Sequence, residues 1–145
     1  MEFVRTIATP AAPSAVFEYL ADFRSTTQWD PGTVETHLIR GDGGVGSEYR
    51  NRSRFLGRET VLIYVVEEHR ADSRIVLRGQ NDTVRVRDTM TITPAAGGRS
   101  EVTYRAKFAF RGSARLLTPI LWIALRRLVD SAAHDLGRVL ATLRS

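Results

Sequence analysis

Asp88 is the residue whose type and setting could carry chemistry. It lies in Val84-Arg85-Val86-Arg87-Asp88-Thr89-Met90-Thr91-Ile92, where apolar residues alternate with arginines. On a strand the arginines take the solvated face, so Asp88 turns inward with Val84, Val86, Met90 and Ile92. An inward carboxylate is costly if it stays charged and unpaired. It must be paired, raised in pKa or hydrated. Free in a cavity, it would be a general acid or base, or an anchor for a ligand hydroxyl. The competing reading is an ion pair or backbone contact near a sheet edge, or a bulge that turns it outward.

The same alternation turns three tyrosines inward: Tyr49, Tyr64 and Tyr104. Their hydroxyls could donate to a ligand carbonyl and stabilise an enol. The plainer reading is half-buried packing with the hydroxyl wet. Tyr104 with Asp88 is the candidate catalytic pair. Asn51 and Asn81 also fall inward, and a buried amide needs partners, so both are ligand-binding candidates. Apolar wall candidates are Leu77, Met90 and Phe108 on strands and Leu121 and Leu128 on a C-terminal helix, with Trp29 closing one end.

These residues need elements to hold them. Residues 2–9 alternate and stop at Pro10, which reads as a strand. Pro13 opens a short amphipathic helix over 13–21, with Val16, Phe17 and Leu20 at helical spacing. Residues 22–29 read as a second short helix or turn, stopped by Trp29-Asp30-Pro31-Gly32. Period two then runs from 33 to 111, giving strands 33–40, 45–55, 58–69, 73–81, 83–93 and 100–111. A two-residue turn at Leu56-Gly57 pairs Phe55 with Arg58. That register puts Thr60, Leu62, Tyr64 and Val66 inward, after Asn51, Ser53 and Phe55. From about 113, or only from Pro119, Leu117, Leu121, Leu125, Leu128, Ala132, Leu136, Val139 and Leu143 share one helical stripe. The fold class is therefore α+β. A curved seven-stranded antiparallel sheet buries one face on a long C-terminal helix, with two short N-terminal helices closing an end.

Composition narrows the function. The 145 residues suit one domain, 1–145, able to bury a core unaided. Cysteine is absent, which removes disulfides, thiolate nucleophiles and cysteine-ligated zinc. Met1-Glu2-Phe3-Val4-Arg5 does not start a signal peptide, so the expected location is cytoplasmic. His37, His69 and His134 are far apart, and Asp130 and His134 at i, i+4 read as a surface pair, so no metal is expected. No phosphate-binding loop, dinucleotide fingerprint or Gly-x-Ser-x-Gly occurs, and no cofactor is expected. All but one of the 21 basic residues are arginine, but they are dispersed on strand faces. That argues against nucleic acid, despite a net charge of +5. One cluster stands apart: Arg111, Arg115, Arg126 and Arg127 flank an apolar stretch, 116–125, that contains Trp122. It reads either as the start of a core helix or as a peripheral membrane contact.

Several local features together resemble the polyketide cyclase/dehydrase-like branch of the START and Bet v 1-like (SRPBCC) superfamily. They are Ala-Val-Phe-Glu-Tyr-Leu-Ala-Asp at 15–22, Trp29-Asp30-Pro31, and Gly44-Val45-Gly46-Ser47-Glu48-Tyr49 opening a strand. The Gly57-Arg58 turn, Arg70-Ala71-Asp72-Ser73-Arg74, and Ser100-Glu101-Val102-Thr103-Tyr104 complete the set. The resemblance spans about 3–143 and implies the helix-grip fold with an internal cavity for a hydrophobic ligand such as a polyketide, lipid, sterol or quinone. It carries no universal catalytic motif. Three readings stay open: a carrier of a hydrophobic ligand; a polyketide cyclase, aromatase or dehydratase; and a membrane- or quinone-associated accessory protein. The enzyme reading requires Asp88 to face the cavity within reach of a tyrosine, unpaired by arginine. The carrier reading predicts a mostly apolar, enclosed cavity, and a small one would count against it. Monomer and homodimer are both open.

Overall fold

Alternating β-branched and arginine-rich segments pair into a single sheet in the computed structural model, which describes residues 1–143. Its strands are β1 (Glu2–Thr9), β2 (Thr33–Arg40), β3 (Glu48–Phe55), β4 (Arg58–Arg70), β5 (Arg74–Gln80), β6 (Val84–Ala95) and β7 (Arg99–Phe110). All pairings are antiparallel, in the order β1-β7-β6-β5-β4-β3-β2. The helices are α1 (Pro13–Ala21), α2 (Thr26–Trp29) and α3 (Thr118–Leu140), with 3₁₀ turns at Phe23–Ser25, Ala96–Gly98 and Gly112–Leu117. The helix-grip architecture expected from the sequence is present. Within it, β1 packs on α3, and α2 packs on both α3 and β2.

The inward residues make one continuous core. Leu125, Val129, Ala132, Leu136 and Leu140 of α3 meet Phe3, Ile7, Leu62, Tyr64, Val86, Met90, Val102 and Tyr104 from the sheet. Polar contacts fix the helix to the sheet rim: the Thr9 hydroxyl donates to the Leu140 carbonyl at 3.1 Å, and Arg5 pairs with Asp130 at 2.7 Å. Asp130 thus bridges α3 to β1 rather than pairing with His134 as its helical spacing suggests. Inter-element geometry overrides the i, i+4 preference here, because Arg5 reaches across from the facing strand.

Some details differ from the expectation. β3 starts at Glu48, not 45, because Gly46 has φ +87° and Val45 is left exposed in a glycine-rich loop. The C-terminal helix becomes α-helical at Thr118-Pro119, the later of the two expected starts; Leu117, expected on the stripe, lies on the preceding 3₁₀ turn, half exposed. Val129 is buried on α3, so the stripe is broader than a single leucine row. The Leu56-Gly57 turn has the expected register, Phe55 opposite Arg58. Both turn residues have positive φ, +51° and +77°, as a two-residue hairpin requires. Leucine is an unusual occupant of that conformation.

Candidate functional site

The site is built from the middle of the sheet outward. The β5–β6 register sets Leu77 opposite Asp88 and Gly79 opposite Val86, and β4 sets Tyr64 opposite Gly79. Gly79 matters because a Cβ there would lie 2.5 Å from the Tyr64 ring. The missing side chain is what lets that ring lie across β5, with Phe23 packed on it at 4.6 Å between centroids. On the next strands, β6 and β7 align Asp88 with Ala106 and Met90 with Tyr104. Trp29 supports Tyr104 from α2, edge-on at 5.8 Å.

Between this patch and α3 lies a half-open cavity of about 110 Å³. Its wall is mainly apolar: Phe55, Leu62, Val84, Val86, Phe108 and Phe110 from the sheet, Leu125, Leu128, Val129 and Ala132 from α3. Tyr64, Asp88, Tyr104 and Asp30 are its principal polar groups. The volume is below the ~300–1,000 Å³ of most ligand sites. It is of the order that holds a single aromatic ring.

Asp88 faces this cavity, 6% exposed, and forms no ion pair among the described residues. The Tyr104 hydroxyl donates to its Oδ1 at 3.4 Å. Burial, then the nearby Asp30 carboxylate, raise its pKa from the ordinary 3.8 to about 7, against a small opposing effect of the Tyr104 hydrogen bond. Burial also pushes Tyr64 and Tyr104 well above the usual phenol range, helped by both carboxylates, so both stay protonated donors near neutrality. The Tyr64 hydroxyl and Asp88 Oδ2 have no hydrogen-bond partner among the described residues.

Asp30 was not foreseen as a site residue. The tetrapeptide Trp29-Asp30-Pro31-Gly32 stops α2, but its carboxylate also folds back over the turn. Gly32 N–H donates to Oδ1 at 2.9 Å and the Thr33 hydroxyl to Oδ2 at 3.0 Å. Aspartate two residues before a glycine and three before a threonine is the sequence signal for such a turn. Burial raises the Asp30 pKa, while these hydrogen bonds oppose the rise. What no local pattern gives is that the turn delivers this carboxylate to the wall that holds Asp88.

The other sequence candidates fall outside the cavity wall. Asn51 is buried, but its amide N–H groups donate to Thr36 at 2.9 Å and Thr33 at 3.1 Å, and its carbonyl accepts from Ser53. Through the Thr33 hydroxyl it is linked to the Asp30 carboxylate. Asn81 closes the β5–β6 turn: it accepts from Thr83 and Val84 backbone N–H groups and donates to Thr60 and Val61. Tyr49 packs on Phe23 and borders a separate shallow groove beside Asp22 and Gly43. Leu77, Met90, Trp29 and Leu121 are buried behind or beside the cavity rather than on its surface. Tyr64, Asp88, Tyr104, Phe108 and Leu128 are the candidates that the fold brings together there. Among the described residues, no group of three His, Asp or Glu is gathered as a metal site would need.

A family model described as polyketide cyclase / dehydrase and lipid transport matches residues 1–141. The chain belongs to that family. Solved structures agree on its fold. The Zhui aromatase/cyclase of a Streptomyces species superposes with a TM-score of 0.80 at 13% identity, over 97% of this chain and 93% of that one. Ara h 8.0201 gives 0.69 at 15% identity, over 97% of each chain. A START superfamily protein from Mycobacterium smegmatis gives 0.67 at 16%, over 93% of this chain and 98% of that one. At these identities the likeness is one of fold. None of the curated proteins compared matches the sequence.

Proposed function

We propose that this protein binds a hydrophobic small molecule with one polar end, its apolar body against α3 and its polar end at Asp88 and Tyr64. The observation that carries the reading is the pairing of an apolar wall with two unpartnered polar atoms, the Tyr64 hydroxyl and Asp88 Oδ2. Both atoms belong to buried residues on the cavity wall and keep free hydrogen-bonding capacity, so a ligand in the cavity would supply their partners. The cavity volume limits what is enclosed to about one ring, so a larger ligand extends out of the half-open cavity or displaces wall side chains. The small cavity weakens a carrier of whole sterols and favours partial enclosure.

The test compares acetophenone with ethylbenzene, similar in shape but differing by the carbonyl, using chemical-shift titration. The ketone should bind about tenfold tighter, the worth of one good hydrogen bond. Tyr64→Phe should abolish the preference while leaving the hydrocarbon affinity intact. Equal affinities in the parent protein would overturn the reading.

A second reading is favoured by one contact. Asp88, its pKa raised to about 7 and its Oδ1 3.4 Å from the Tyr104 hydroxyl, supports an acid–base reading of the site. The Asp88 carboxylate would take the α-proton of a bound ketone while a tyrosine hydroxyl donates to the enolate oxygen. Deuterium exchange at the methyl group of acetophenone would report this. A rate unchanged in Asp88→Asn would dispose of it.

A further inference from the structure

The apolar, arginine-flanked stretch in front of α3 is not used by the cavity. Leu116, Leu117, Ile120, Trp122 and Ile123 are 83%, 51%, 59%, 44% and 51% exposed, five large apolar side chains within eight residues. Elsewhere the described chain leaves such residues exposed singly, which is ordinary. A concentrated patch marks a surface that something covers. Its charge says what. Arg111, Arg115, Arg126 and Arg127 bracket it and form no ion pair among the described residues, while Arg126 lies over the Trp122 ring at 5.5 Å. No Asp or Glu occurs between Glu101 and Asp130. On the rest of the molecule arginines are commonly neutralised by carboxylates, as in Arg52 with Glu35 and Glu59.

We infer that Arg111–Arg127 docks on an anionic lipid surface, with the apolar side chains in the interface and the four arginines at the headgroups. Tryptophan and arginine at a helix start are the residue types that such an interface favours. A neutral or basic protein surface would leave the arginines unpaired, so the charge pattern selects an anionic partner. Among the described residues, no helix is long and apolar enough to cross a membrane. The docked segment follows Phe110 and contains Leu125, both on the cavity wall, so the cavity sits close to the proposed lipid contact.

The probe is large vesicles of phosphatidylcholine, alone or with roughly 30% phosphatidylserine, at about 0.1 M salt. Sedimentation should recover the full chain with the anionic vesicles at least tenfold more strongly than with neutral ones, and less at about 1 M salt. Trp122 fluorescence should shift to the blue on binding; Trp29 is already buried and contributes little change. Arg126→Glu with Arg127→Glu should lower binding tenfold or more, and so should Ile120→Ser with Ile123→Ser. Both pairs are exposed, so an unchanged melting temperature separates docking from unfolding. Equal recovery with both vesicles, or none, overturns the inference. So does a stable dimer in solution that Ile120→Ser with Ile123→Ser dissociates, since the patch would then belong to a second copy.

Discussion

Asp88 couples the site to the stability of the whole chain. Its folded pKa of about 7 lies above the ordinary 3.8, because burial and Asp30 both disfavour the charged form. The folded state therefore holds its proton more tightly than the unfolded one. The stabilising contribution is complete below about pH 4 and is lost as pH rises through about 7, by at most ~4 kcal/mol. Denaturant titrations should show stability falling between pH 5 and pH 8, and Asp88→Asn should flatten that slope and be the more stable protein at pH 8. A wild-type profile that rises across this window would contradict the assignment. The inward faces of Asp88 and Tyr104 were legible in the sequence because alternation with Arg85 and Arg87 on β6, and with Arg105 and Lys107 on β7, leaves them no other side. Asp30 was not, since its carboxylate is oriented by a turn and its proximity to Asp88 arises only when α2 docks beside β2.

Strand register carries the same lesson further. The Tyr64–Gly79 pairing makes a glycine on β5 responsible for where a hydroxyl on β4 points. Gly79→Ala would place a methyl 2.5 Å from the ring, so the ring must move into the cavity. The expected cost is about 1–3 kcal/mol of stability, as for other overpacked cores. Loss of ketone preference should accompany it, although Tyr64 itself is untouched. Thermal melting and the acetophenone titration together check this; retention of both would show that the ring has room. Strand assignments were readable from period two, and the Leu56-Gly57 turn fixed one hairpin outright. The face assignment for Asn51 was also right. What alternation lacks is depth along a strand: Asn51, Tyr49, Leu77 and Met90 turn inward like Tyr64 but lie beyond the cavity, and Asn81 is absorbed into the β5–β6 turn. Hydrogen bonding of Asn51 and Asn81 to Thr33, Thr36 and Thr60 depends on partners 15 to 21 residues away.

At the scale of the molecule, the fold divides its labour between the two halves of α3. The C-terminal half, with Leu136 and Leu140, fills the sheet and is tied to it by Thr9 and Arg5. The N-terminal half lines the cavity with Leu125 and Leu128 and exposes Ile120 and Ile123. The amphipathic stripe predicted the first role. It overextended into Leu117 because a helical period continues through the 3₁₀ turn, where no sheet remains to bury it. The vesicle and ketone experiments probe the two roles of the N-terminal half separately, since the first reads exposed residues and the second reads the wall.

Leu56 adds a constraint of a different kind. A left-handed conformation costs leucine about 1–2 kcal/mol, and asparagine or glycine would occupy the same turn with less strain. Leu56 is 59% exposed and follows Phe55, a residue of the cavity wall, in the chain. A glycine or asparagine in its place would relax the turn while removing an exposed apolar side chain next to that wall, so stability and surface hydrophobicity pull this one position in opposite directions.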